Sequence, residues 1–136
     1  NNITWEKPNP PPNLSCRFFT HSTETLLWAK KDKKAKHTFH YDVMKAHNGD
    51  KQMKCVWQFT PPGKLEKTFG KHPTQKPLAL LERCILAASN PGDLIFDPFM
   101  GSGTTGVAAL KHGRQFCGCE VETDYFELAQ KRMKHD

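Results

Sequence analysis

The sequence lacks any apolar run near the roughly 20 residues that cross a bilayer, so no helical membrane span is expected. No stretch has the charged-then-apolar pattern of a secretory leader. Cysteine is sparse and odd in number: the five (16, 55, 84, 117 and 119) fit no disulfide framework, which points to a reduced, cytoplasmic setting. Cys84 and Cys117 sit among apolar neighbours and read as small core residues. His37, His40, His47 and Cys55 match no common zinc spacing, so no metal is expected. Acids are outnumbered, 14 Asp/Glu against 20 Lys/Arg, and the shortage is local. Residues 1–77 carry 14 basic and 6 acidic side chains; residues 78–136 carry 6 and 8. A basic half joined to a near-neutral half suggests a polyanion surface beside a cofactor core. At 136 residues the chain is one domain at most, or a piece of one.

What is present centres on Asp97-Pro-Phe-Met-Gly-Ser-Gly-Thr-Thr-Gly106. The apolar Leu94-Ile95-Phe96 enters it and Val107–Lys111 leaves it, which reads as strand, turn and helix. Gly101 and Gly103 permit a tight turn and close backbone approach to a ligand, and amides opening a helix are free donors. A second strand, Gln115–Cys119, ends in Glu120, at the distance from the glycines where a carboxylate takes ribose hydroxyls. Gly101-Ser-Gly103-Thr-Thr-Gly106 also fits the dinucleotide fingerprint, so a nicotinamide or flavin site is one reading. Asp97 opposes it, because a carboxylate at the strand end would repel a pyrophosphate. The same carboxylate suits S-adenosylmethionine (SAM), which carries a sulfonium, an ammonium and a ribose but no phosphate. The plainest alternative makes Asp97 a capping residue.

Around this centre the periodicities give an α/β protein. Asn1–Lys7 alternates as a strand with Ile3 and Trp5 on one face. A strand rarely opens a domain without neighbours, so the chain is expected to begin within one. Pro8–Asn13 is rigid and extended. Arg17 adds to the basic side chains of this half, and plain packing is the expectation for the Phe18-Phe19 pair. Thr23–Lys30 is a strand and Lys30–Lys36 a dense basic run. His37–Tyr41 reads as a short strand, Lys45–Lys51 as a turn-rich loop and Cys55–Phe59 as a strand. Leu78–Ala88 is an amphipathic helix that should cover the sheet face beside the strand ending at Asp97. Pro77 suits its first position, and Thr74 could cap it. Thr123–Met133 is a helix with Thr123 at its N-cap. Strand-helix-strand-helix order implies parallel pairing of the last two strands.

Two motifs carry a resemblance. Asp97-Pro-Phe-Met-Gly-Ser-Gly-Thr104 resembles the SAM-binding motif of the amino-group DNA methyltransferases, and His72-Pro-Thr-Gln-Lys-Pro77 resembles the motif that precedes it in their β-class. With Glu120 they span roughly the last half of the chain, in β-class order. The resemblance implies a partial Rossmann-like SAM-dependent methyltransferase fold with a basic target-recognition insertion. Residues 1–29 would supply strands and a Pro-rich loop, 30–60 the recognition region and 61–136 the SAM-binding part. His72, Thr74, Gln75, Lys76, Asp97, Pro98, Phe99, Gly101, Ser102, Gly103, Thr104, Glu120 and Val121 are the implied cofactor residues. Arg17, Lys30, Lys31, Lys33, Lys34 and Lys36 are the implied DNA contacts. The implied reaction is methyl transfer from SAM to an exocyclic amine of a flipped base in double-stranded DNA, adenine N6 or cytosine N4.

The family's chemistry rests on [Asp/Asn/Ser]-Pro-Pro-[aromatic]. Asn9-Pro10-Pro11-Pro12 matches three of those positions, but Pro12 cannot stack on a base, so the segment reads as a structural loop and no catalytic residue is named. The motif is then expected upstream, with this chain as a C-terminal portion, or on a separate chain carrying the N-terminal half. A homodimer is a further arrangement. Two other classes stay open: a non-catalytic or split DNA- and SAM-binding subunit, and an oxidoreductase on the same fold.

Overall fold

The computed structural model of the chain describes residues 1–135. Five strands and four helices follow in the order β1 (Asn2–Glu6), β2 (Thr23–Leu27), α1 (Tyr41–Ala46), β3 (Val56–Gln58), α2 (Leu78–Ala88), β4 (Leu94–Asp97), α3 (Thr104–Lys111), β5 (Gln115–Gly118) and α4 (Thr123–His135). The strands form two sheets. In the first, β1 is central, antiparallel to β2 (Asn2 opposite Leu27, Glu6 opposite Thr23) and parallel to β3 (Trp5 opposite Trp57). In the second, β4 and β5 run parallel with Asp97 opposite Gly118, as the strand-helix-strand order predicts. β3 lies inside the stretch 30–60, so part of that stretch is sheet.

Helix α2 serves both sheets, because apolar residues three and four apart share one face. Leu80 is buried with Ile3, Trp5 and Trp57, while Ile85 is buried with Ala108 and Ala109 of α3; Leu81 touches both groups. The helix has the predicted limits but a different cap. Pro77 is extended and precedes the first turn, and Thr74 makes no cap. The Glu66 carboxylate, from a 3-10 turn at Leu65–Lys67, accepts the Leu78 N–H at 2.8 Å.

Three expectations fail. His37–Tyr41 is no strand: Tyr41–Ala46 is helix α1, which buries Met44, and the His40 N–H donates to Ala87 O at the end of α2. The short alternation there is too weak to outweigh that docking. Cys117 is exposed, unlike Cys84. Along β5 the inward positions are Phe116, packed with Ile95 against α3, and Gly118; period two turns Cys117 outward. Leu94 (63% exposed) and Phe96 (60%) share this alternation on β4. Phe18 and Phe19 do not pack either, being 72% and 97% exposed in the β1–β2 loop. Burial pushes the Cys84 thiol up to about 11, which makes it inert.

Among the described residues no helix is long and apolar enough to cross a membrane, and no three His, Cys, Asp or Glu side chains gather to hold a metal.

Candidate cofactor site

Asp97 closes β4, and the turn after it is shaped by carboxylates. Its Oδ1 accepts the Phe99 N–H at 3.0 Å, and its Oδ2 accepts the Thr105 hydroxyl at 2.7 Å from the first turn of α3. Glu120, beyond β5, accepts the Gly101 N–H at 3.0 Å and the Glu122 N–H at 2.9 Å. The Met100 N–H donates to Cys119 O, and the Cys119 N–H to Asp97 O. Two acids and the two strand ends thus clamp the turn. The Glu122 amide, with help from those of Val121 and Gly101 and from His72, holds the Glu120 carboxyl below its ordinary value against a smaller desolvation effect.

Gly101 and Gly103 are in the left-handed region, at φ 51 and 75. Both also meet neighbours within the protein. A Cβ on Gly103 would lie 2.8 Å from Ala129 Cβ, and one on Gly101 would lie 3.2 Å from the His72 ring.

The second motif closes over this turn. The His72 ring meets Tyr125 edge-on at 4.2 Å, and its Nδ1 accepts the Thr74 N–H at 3.2 Å. Buried Gln75 donates to Glu66 O at 2.7 Å. Lys76 and Lys7 each reach a Glu24 carboxylate oxygen at 2.6 Å. Burial raises the Glu24 pKa, but the two lysines outweigh it and the net shift is downward. This triad joins the end of β1 and the start of β2 to the motif.

His72, Thr74, Gln75, Lys76, Asp97, Phe99, Gly101, Ser102 and Thr104 line one cavity of about 150 Å³. Leu81, Met100 and Thr105 line it too and were not expected. Thr105 was legible in principle, since a hydroxyl one turn into the helix faces back to a strand-end acid. Pro98 and Gly103 shape the turn without lining the cavity. Glu120 and Val121 stand outside its wall, Val121 with its side chain in solvent. A larger hollow of about 550 Å³, walled by Trp28, His37 and Phe39, lies at the opposite end of α2 beside Ala87 and holds none of the expected cofactor residues.

The expected DNA residues are not brought together. Arg17 is in the β1–β2 loop, at the end of the hairpin marked by Glu24 and the cavity. Lys30, Lys31, Lys33, Lys34 and Lys36 follow β2 at the other end, beyond the Asn2–Leu27 pair. Lys30 folds its ammonium onto Lys33 O (2.9 Å) and Ala35 O (3.2 Å).

The donor inventory bears on which cofactor fits. The amides of Phe99 and Gly101, which a phosphate cradle would offer, are already given to carboxylates. The cavity wall sets one carboxylate, Asp97, beside Lys76 and His72, and with two of the turn's amides already taken it offers a poorer cradle for a pyrophosphate than for a phosphate-free ligand with a cationic end.

A family model described as DNA methylase matches residues 1–131. The Type II methyltransferase M2.DpnII of Streptococcus pneumoniae is 61% identical over 135 residues, covering 98% of this chain and 50% of that protein. M2.LlaDCHI of Lactococcus lactis subsp. cremoris is 58% identical over 134 residues, with 98% and 50% covered. The chain thus spans about half the length of these curated relatives. The crystal structure of the M1.HpyAVI–SAM complex aligns with a TM-score of 0.82 at 43% identity, covering 98% of this chain and 61% of that one.

Proposed function

The chain belongs to the DNA methylase family, and from that membership we propose that the full-length protein transfers the methyl group of SAM to an exocyclic amine in double-stranded DNA, adenine N6. Membership sets aside the oxidoreductase reading. The observation that carries the cofactor is the turn 97–103, in which the Phe99 and Gly101 amides are turned onto Asp97 and Glu120.

When bound, SAM supplies a methyl group made electrophilic by its sulfonium. The residues of this chain hold it. Asp97, oriented by Thr105 and the Phe99 amide, would hold the ammonium of the amino-acid end. Glu120 keeps lone pairs for ribose hydroxyls after accepting two amides. His72, Thr74, Gln75 and Lys76 form the opposite wall with Phe99, Ser102 and Thr104. Gly101, Gly103 and Pro98 fix the turn, and exposed Val121 offers an apolar contact beside Glu120. DNA comes to the carboxyl ends of the strands, where ligands of open α/β sheets bind. Arg17 and the exposed Phe18-Phe19 pair rim that end; the lysines at 30–36 serve phosphates of flanking duplex.

Residues 61–136 are the SAM-binding part, 30–60 the recognition region and 1–29 the strands and Pro-rich loop beside them. The five free cysteines and a DNA substrate support a cytoplasmic setting. The groups that hold the target amine are not assigned to any residue of this chain.

The test is transfer of labelled methyl from SAM to duplex DNA by the full-length protein, with the DNA then digested to nucleosides. Label in N6-methyladenine is the expected result. Label in N4-methylcytosine would overturn the target base, and SAM binding without transfer would favour a regulatory subunit.

A further inference from the structure

Five residues of α4 share one face at helical spacing: Tyr125, Leu128, Ala129, Arg132 and Met133. Four of them touch loops that wall the cofactor cavity or lead into it, and Met133 touches the first turn of α3. Tyr125 meets the His72 ring at 4.2 Å. Leu128 would lie 3.1 Å from a Cβ on Gly70, and Ala129 and Met133 occupy the space a side chain would need at Gly103 and Gly106. None of the five lines the cavity itself.

Arg132 is the polar member, and it is 2% exposed. Its Nη1 donates to Ser102 O at 2.8 Å, Ser102 Oγ at 3.0 Å and Thr104 Oγ1 at 2.9 Å. These acceptors flank Gly103, the left-handed residue that opens α3 without a side-chain cap. Burying a guanidinium is costly unless it is well bonded, so a charge placed under this turn has a strong geometric preference for the turn's present shape. Ser102 and Thr104 present their other sides to the cavity.

We propose that α4 is the template on which the cofactor-binding turn is moulded, and that Arg132 is the positioning residue that sets Ser102 and Thr104 for SAM. The inference rests on the cofactor reading above. It adds a residue that acts on SAM affinity without touching SAM. All three contacts come from the single nitrogen Nη1, so a lysine could keep the charge and reach some of the acceptors, but not with the length and fixed orientation of the guanidinium. A methionine would leave the Ser102 carbonyl and two hydroxyls without that donor.

The experiment compares the full-length wild-type protein with Arg132→Lys, Arg132→Met and Arg132→Gly, measuring Kd for SAM by calorimetry, Kd for duplex DNA and Tm. SAM Kd should rise about tenfold or more in R132M and less in R132K, with DNA Kd within about twofold of wild type. Guanidinium added to R132G should restore part of the SAM affinity. If R132M does not fold, R132K decides: weaker SAM binding with unchanged DNA binding supports the template. Wild-type SAM affinity in a folded R132M or R132K, whatever the change in Tm, overturns it. A wild-type protein that binds no SAM would instead overturn the cofactor reading, so the two failures are distinct.

Discussion

The turn 97–103 and the basic run 30–36 both follow a strand, and they are held in opposite ways. The turn is fixed from outside: Glu120 beyond β5, Thr105 on α3, His72 on a distant loop and Ala129 and Arg132 on α4 all bear on it. Among the described residues the run is fixed only from within, where Asp32 accepts the Lys34 and Ala35 amides and Lys30 caps two carbonyls of its own loop. A segment defined by remote partners has a specified shape, and substitution there should be felt sharply. A segment defined by itself offers charge more than geometry, and charge at a surface is screened beyond about 8 Å at physiological salt.

The sharpest break in this contrast should come at Asp97. Asn keeps the size but has one acceptor and one donor group, so its amide faces either the Phe99 N–H or the Thr105 hydroxyl, and the negative charge is gone. SAM affinity should fall more than a hundredfold, about 3 kcal/mol. Calorimetry on D97N in the full-length protein checks this. An affinity that is unchanged, or improved for a dinucleotide, would return the turn to the phosphate-binding class.

Next in size is Gly103→Ala. The φ of 75 and the 2.8 Å approach to Ala129 Cβ leave no room, and Ala129 Cα, a backbone atom, would be only 3.1 Å away. About 2–3 kcal/mol of stability should be lost in urea unfolding, from overpacking and left-handed strain together. A near-neutral result would mean that α4 yields, and would weaken its role as a template.

Glu120→Gln should cost about tenfold in SAM affinity, since the Gln amide must oppose one of two N–H groups. It also carries a pH signature. Because the folded-state pKa of Glu120 is depressed, its carboxylate contribution is complete above the ordinary glutamate range and is lost only as pH falls through the lower folded value. Wild-type affinity should therefore hold as pH passes the ordinary range and then decline, and the part of the decline due to this carboxyl should be missing in E120Q. Identical low-pH limbs would assign that titration elsewhere.

What could be read in advance divides along the same line. The α2 limits and the turn were legible because short-range signals agree there: Leu78, Leu81 and Ile85 repeat at helical spacing, and Gly101 and Gly103 punctuate between an apolar run and a helix, whereas β2 stops at Leu27, short of the expected Lys30. The resemblance carried the cavity-lining residues of both motifs except Met100. Long-range partners were not legible. Arg132 reads as one more basic residue in a charged last turn, and nothing local says that it is buried under Ser102. The glycines looked like space for a ligand, whereas the neighbour of Gly103 is a helix 26 residues away in sequence. Glu66 capping α2, and period two turning Cys117 outward, depend likewise on how separate elements meet.

The smallest effect is expected where composition spoke loudest. Neutralising Lys30, Lys31, Lys33 and Lys34 together removes four charges, but Lys30 is occupied within its loop and all four lie at the hairpin end remote from the cavity. DNA affinity should fall evenly across sequences, and the slope of log affinity against log salt should drop by about one unit or less, where four full phosphate contacts would remove nearly four. Replacing Phe18 and Phe19 by Ala removes no charge. It should leave that slope alone, yet weaken binding of duplex with a target site about tenfold if these exposed rings contact bases at the cofactor end. Measuring salt slopes and site affinity for both variants of the full-length protein separates the two ends. A four-unit loss for the lysines with no change for the phenylalanines would move the duplex to the far end of the sheet, and the fixed turn would then be a cofactor site that DNA approaches from elsewhere.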